Sequence, residues 1–111
     1  MNMMNWSTYN GTAATLQPGN GLITSSSSAI TLTLPISCPV GAVLGFENAG
    51  TGLVTLAQNA SQTIRFGNQT TTAGTGGSIA ATSQGDFLKI VCSASPNSYI
   101  VVGSQGNFTV V

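Results

Sequence analysis

The chain has 111 residues, enough for one domain with a single modest core. Four side chains are charged at neutral pH, and their charges sum to zero: Glu47, Arg65, Asp86 and Lys89. Two basic side chains cannot form a basic nucleic-acid surface, so the composition excludes one. The chain has no histidine and only two carboxylates and two cysteines, which predicts a protein without enzymatic activity, metal or cofactor.

The first sixteen residues are largely polar and carry two aromatic side chains, Trp6 and Tyr9. A segment this polar does not build a core, so residues 1–16 are predicted to form an arm whose rings dock on a neighbouring subunit. Stacking of the same rings on sugars is the alternative interpretation. The stretch lacks the basic start and apolar run of a signal peptide, which predicts synthesis in a cytosol and no membrane insertion.

Residues 17–111 alternate apolar and polar side chains at spacing two, which is typical of β-strands. Turn residues separate the strands, so we expect one all-β domain: an antiparallel, jelly-roll-like sandwich of eight or nine short strands. A β-helix is the main alternative, but no repeat of fixed period is found. The predicted strands are AITLTLP (29–35), AVLGFE (42–47), LVTLA (53–57), TIRF (63–66), SIAAT (78–82), FLKIVCS (87–93), YIVVGS (99–104) and NFTVV (107–111).

Two of these strands, FLKIVCS and YIVVGS, are apolar on both faces. A two-sheet sandwich has one interior, so the second apolar face of each strand requires a cover. A partner subunit would supply that cover, and scattered surface valines are the alternative explanation. Together with the two aromatic residues of the arm, the predicted subunit interface is Trp6, Tyr9, Phe87, Val91, Tyr99 and Val101.

Residues 58–78, QNASQTIRFGNQTTTAGTGGS, contain one charge and many amides and hydroxyls. These side chains both donate and accept hydrogen bonds, so the stretch is predicted to be a strand plus a loop ordered by them. Cys38 lies in a proline-flanked loop and Cys92 in an apolar strand, which predicts two unpaired thiols.

Five stretches from residue 30 onward, within about three-quarters of the chain, resemble a module of bacteriophage tail fibres and other virion surface proteins. The most specific parts are the run from Gln58 to Asn68 with its threonine-rich tail, and the closing Ser104 to Asn107. Cys38 departs from the pattern, since a small polar residue is expected there. The stretches are ITLTLP (30–35), VGAVLGFENAGTG (40–52), LAQNASQTIRFGNQTTTAGTGGSIAAT (56–82), GDFLKIVC (85–92) and YIVVGSQGNFTVV (99–111).

This resemblance implies an all-β, homotrimeric, non-enzymatic virion component. We therefore expect a tail-fibre tip or capsid decoration protein that is made in the host cytoplasm and located on the virion surface. Its expected partners are further copies of the same chain, other virion proteins and host-surface glycans. The alternative is an extracellular filament subunit that polymerises by lending its N-terminal strand to the sheet edge of a neighbour.

Overall fold

A computed structural model of the chain describes residues 5–94 and 97–111. These residues form β-strands and no helix, which confirms the all-β expectation. Among them we find no helix of the length and apolar character that a membrane span requires. The strands are β1 (Asn5–Tyr9), β2 (Ala13–Thr15), β3 (Asn20–Thr24), β4 (Ile30–Thr33), β5 (Val43–Asn48), β6 (Val54–Ala57), β7 (Thr63–Phe66), β8 (Gln69–Thr70), β9 (Ser78–Ala81), β10 (Phe87–Ala94), β11 (Ser98–Gln105) and β12 (Phe108–Val110).

The strands form two sheets that enclose one core. The large sheet has seven strands in the order β1-β3-β5-β10-β11-β7-β8, and the small sheet has five in the order β12-β9-β6-β4-β2. Both sheets contribute fully buried side chains to the core, which gives a sandwich-like architecture. Among these side chains are Leu44, Phe46, Leu88 and Ile90 from the large sheet, and Leu32, Leu56 and Ile79 from the small sheet.

The first six strands wind as stacked turns. The chain changes sheet at every connection from β1 to β6, so neighbouring strands of one sheet are separated by a full turn of the chain. They consequently run in the same direction and pair in parallel. The second and third turns are offset by 24 residues in both sheets, since Gly21 pairs with Gly45 and Ile30 pairs with Val54.

The expectation of antiparallel, jelly-roll-like pairing is therefore wrong for the first half of the chain. Strand β7 also pairs in parallel with β11, whereas the remaining pairings, such as β10 with β5 and β11, are antiparallel. The β-helix alternative describes β1 to β6 better, because these turns stack like the coils of a solenoid. No constant period is visible because the first turn is shorter: Asn5 pairs with Asn20 and Ala13 with Thr31.

Residues 5–16 are part of the sandwich, which corrects the prediction of a separate arm over 1–16 and of a domain that begins at residue 17. Strand β1 pairs with β3 at the edge of the large sheet, β2 pairs with β4 at the edge of the small sheet, and Leu16 is buried in the core. Backbone hydrogen bonds hold these polar strands, and hydrophobic periodicity does not detect them. Residues 1–4 lie outside the described residues.

The connection from β5 to β6 is held by a buried amide. The Asn48 side chain is fully buried, its Nδ2 donates to the carbonyls of Gly50 and Gly52, and its Oδ1 accepts from the Val54 N–H at 2.8 Å. This connection stacks directly on the connection from β3 to β4, because the Gly52 N–H donates to the Ser26 carbonyl. The tight stacking keeps the two coils in register.

Candidate functional site

The outer face of the large sheet presents apolar side chains to solvent. Alternation along β10 sends Leu88 and Ile90 into the core and leaves Phe87 and Val91 half-buried on the opposite side. The pairing registers place side chains from five further strands on the same side. We define the outer face as Trp6, Ile23, Val43, Phe87, Val91, Ile100 and Val102, together with the charged side chains Glu47, Arg65 and Lys89.

Trp6 lies flat against the outer face. Its ring is 5.9 Å from the ring of Phe87, measured between centroids, and the indole remains 37% exposed. The ring occupies the space beside Gly21, where an added Cβ would lie only 2.5 Å from Trp6 Cε3. The indole is therefore packed on its own chain and still offers surface to a ligand or partner.

A row of glycines extends across the outer face from Trp6. No side chain rises from Gly21 or Gly45, so the Trp6 ring packs over Gly21, and both glycines are buried. At Gly45 the close approach of β10 requires glycine, since an added Cβ would lie 2.2 Å from the carbonyl oxygen of Leu88. Following the pairing registers, the row runs through Trp6, Gly21, Gly45, Lys89 and Gly103.

The structure brings Trp6, Phe87 and Val91 together on the outer face but places the other three predicted interface residues elsewhere. Tyr99 is 1% exposed, because it pairs with Cys92 and so faces the core. Val101 also packs against the core. Tyr9 donates its hydroxyl hydrogen to the Ala13 carbonyl of its own chain. The expectation that Tyr99 and Val101 lie on the exposed face of their strand is therefore wrong.

Ile100 and Val102 take the outward positions on β11, with exposures of 39% and 55%. The pairing explains the change of side. Ile90 pairs with Val101 and Lys89 pairs with Gly103, so Val102 is an extra residue that forms a bulge. The sequence contains no local signal for this bulge, and the apolar pattern alone could not choose between the two sides of YIVV.

A second exposed apolar feature is the loop between β4 and β5. Ile36 and Val40 are 82% and 65% exposed at its tip, whereas Cys38 between them is buried in the core. Cys38 thus lies in a loop, as expected, but its side chain is buried. The inward Cys38 anchors the loop and holds the two aliphatic side chains in solvent.

Cys38, Cys92 and Tyr99 form a buried cluster. The Cys92 thiol donates to the Cys38 carbonyl with a sulfur–oxygen distance of 3.2 Å, and both cysteines are free thiols in the structure. Burial raises the pKa of the Cys38 thiol, and the neighbouring Cys92 adds to the increase. A thiol that resists ionisation is a poor nucleophile, so this cluster is suited to packing.

The polar stretch 58–78 is ordered by amides and hydroxyls, as predicted. Gln58 Nε2 donates to the carbonyls of Gln62, Thr72 and Gly74, and its Oε1 accepts from the Thr71 hydroxyl. Gln62 Nε2 in turn donates to the Pro35 carbonyl at 2.8 Å. These buried side chains satisfy backbone groups of the loop, which gives the stretch a structural role.

The two carboxylates have different environments. Asp86 is buried, and its Oδ2 accepts from the backbone N–H groups of Thr82 and Ser83, so it stabilises the turn before β10. Glu47 is exposed on the outer face. Within the described ranges 5–94 and 97–111, no group of three or more histidine, cysteine or acidic side chains is arranged to hold a metal ion.

Comparisons with known proteins add no family to these observations. No protein-family model matches the chain, and no curated protein is significantly similar to it in sequence. The functional interpretation therefore depends on the exposed surfaces described above.

Proposed function

We propose that this chain is a non-enzymatic structural protein that self-assembles as a β-rich trimer on a bacteriophage virion, as a tail-fibre tip or a capsid decoration subunit. The observation that carries the proposal is the apolar outer face of the large sheet in a chain with only four charged side chains. Near-zero net charge together with exposed apolar surface favours association. The virion location and the number three rest on the sequence resemblance.

The energetics favour a stable assembly. An interface of ordinary size buries ~800 Å² on each subunit, and mostly apolar burial on that scale contributes roughly 10–20 kcal/mol before the cost of association. The outer face also carries Glu47, Arg65 and Lys89, three of the four charged side chains, so we expect the contact to bury the apolar side chains and to leave these charges in solvent at its rim, where they lose little hydration. Association through this face should accordingly depend weakly on salt.

Light scattering after size exclusion tests the assembly. The expected result is a trimer at micromolar protein concentration, in low salt and in 1 M salt. A lysine at Val91 or Ile100 should weaken the trimer, because it places a charge in the apolar contact. Ile36→Lys is the matched control, since Ile36 is exposed on the loop between β4 and β5 and is not one of the outer-face residues. A wild-type monomer at both salt concentrations contradicts the proposal.

Contact with host-surface glycans is part of the same proposal, and Trp6 is the aromatic side chain available for it. Its indole is partly exposed beside the glycine row, so a flat sugar ring could stack on it. Binding to a glycan array that is lost in Trp6→Ala and retained in Tyr9→Phe supports this role. Equal binding by wild type and Trp6→Ala rejects it.

The second candidate is an extracellular filament subunit that polymerises through its N-terminal strand. The observation that favours it is the position of β1 at the edge of the large sheet, where β3 is its only strand partner among the described residues. Negative-stain images distinguish the two candidates, because a closed trimer stops growing and head-to-tail association does not.

A further inference from the structure

The sandwich has an open strand edge at each end. At the first end, which we call the leading edge, β1 and β2 are the outermost strands of the two sheets. At the other end, β12 is the outermost strand of the small sheet. In the large sheet, β7 covers only the first part of β11, because it pairs with residues 98–100 and not with the rest of that strand. Among the described residues, 101–105 of β11 pair only with β10. We call these five residues together with β12 the trailing edge.

The two edges have the same strand directions. In the large sheet, β10 runs antiparallel to both β5 and β11, so β11 runs parallel to β1, β3 and β5. In the small sheet, β9 runs antiparallel to both β6 and β12, so β12 runs parallel to β2, β4 and β6. Strands β11 and β12 consequently form a last coil, and they run in the same directions as β1 and β2.

The edges also share a register. In the large sheet, the row through Trp6, Gly21 and Gly45 ends at Gly103. In the small sheet, the row through Ala13, Thr31, Thr55 and Ala80 ends at Thr109. The part of β11 that β7 leaves unpaired therefore carries the rows of three β1 residues. These rows start at Trp6, Ser7 and Thr8 and end at Gly103, Ser104 and Gln105.

The core is incompletely covered at both edges. Ala14 and Leu22 near the leading edge pack on the core but remain half-exposed. Val101, Phe108 and Val110 do the same at the trailing edge. In a solenoid, an uncapped end of this kind is completed by a further coil.

Neither edge resists such an addition by charge. Strands β1, β2 and β12 and residues 101–105 contain no charged side chain. In β1, the Asn5 N–H donates to Gly19 and the Tyr9 carbonyl accepts from Ser25, so the backbone groups of Trp6 and Thr8 point away from β3. The lysines and prolines that commonly protect sheet edges are absent from these strands.

From this match we propose that a second copy of the chain adds head to tail, with its leading edge stacked in parallel on the trailing edge of the first. Trp6 of one copy then lies beside Gly103 of the other, and Ala13 lies beside Thr109. In the small sheet the contact repeats the pairing of β2 with β4. In the large sheet it uses three of the five residue pairs that join β1 to β3, because the Val102 bulge interrupts the ladder before Gly103. It deepens the self-assembly of the proposed function but does not use the outer face.

Cross-linking on the small sheet tests the contact without interference from the outer face. Ala13→Cys/Thr109→Cys carries two exposed thiols separated within one chain by four strand spacings, ~19 Å. A short bis-maleimide reagent should therefore link these thiols between chains and give a ladder of multimers on a denaturing gel. The native thiols are buried. Ala13→Cys/Thr51→Cys is the matched control, because Thr51 is exposed at a corner away from both edges.

A charge pair tests the same register in solution. Ala13→Lys/Thr109→Glu should associate about ten-fold more tightly than Ala13→Lys/Thr109→Lys, because opposite charges attract and like charges repel across neighbouring strands. Ala13→Lys/Thr51→Glu, with the same charges and no facing pair, should resemble wild type. Sedimentation over a range of protein concentrations measures the difference.

The proposal is overturned if the Thr109 pair gives no stronger ladder than the Thr51 pair, or if the two charge variants associate equally. The ladder should persist when Val91→Lys is added, since that substitution lies on the outer face. A ladder that persists while the trimer is lost upholds the head-to-tail contact and rejects the trimer. A trimer without a ladder rejects the head-to-tail contact alone.

Discussion

Asn48→Ala removes the buried amide that holds the connection between β5 and β6. Three hydrogen bonds of 2.8–2.9 Å are lost, and the Val54 N–H and the carbonyls of Gly50 and Gly52 lose their side-chain partner. Each such bond contributes ~1 kcal/mol net, and a buried group left without a partner costs ~1–3 kcal/mol. The free energy of unfolding should fall by about 3–5 kcal/mol, a large part of the ~5–15 kcal/mol expected for a domain.

Urea and thermal unfolding, followed by circular dichroism at one fixed protein concentration, measure this loss. The melting temperature of Asn48→Ala should fall by at least ~10 °C. Gln84→Ala is the matched control, because Gln84 makes a single exposed amide hydrogen bond to the Ala49 carbonyl at 2.8 Å. It should cost less than ~1 kcal/mol. Equal, small losses in both variants would refute the role assigned to burial.

Further predictions concern backbone packing and the thiols. Gly45→Ala should destabilise the fold strongly because its Cβ would collide with the Leu88 carbonyl, whereas Gly103→Ala, whose Cβ would lie 3.9 Å from its nearest neighbours, should be nearly neutral in thermal unfolding. Thiol titration of the denatured, unreduced protein should find both Cys38 and Cys92 free in every chain, and finding neither would reveal a disulfide. Because burial raises the pKa of Cys38 in the folded state, the unfolded chain ionises first. The contribution of Cys38 to the unfolding free energy should therefore be constant below pH ~8.5 and fall above it, and Cys38→Ala should flatten that fall in urea titrations from pH 7 to 9.5.

Corrections to the sequence predictions arise where a residue's environment depends on a distant strand. The second and third turns are offset by 24 residues, yet few aligned positions are identical, among them Gly21 with Gly45 and Leu32 with Leu56. At most other positions the two turns require only a residue that is compatible with a strand or a connection, so the aligned residues differ in type. A search for a fixed period therefore does not reveal the coils.

The sequence by itself determined the all-β class, the positions of eight strands and the inward side of β10, because alternation at spacing two is a local property. It also indicated that amides, not charges, order residues 58–78. Only the tertiary structure decided that the early strands pair in parallel, that a bulge at Val102 turns Tyr99 inward and that Cys38 joins the core. Strand direction, register and the burial of a loop residue depend on which distant segments meet, and local composition does not encode that choice.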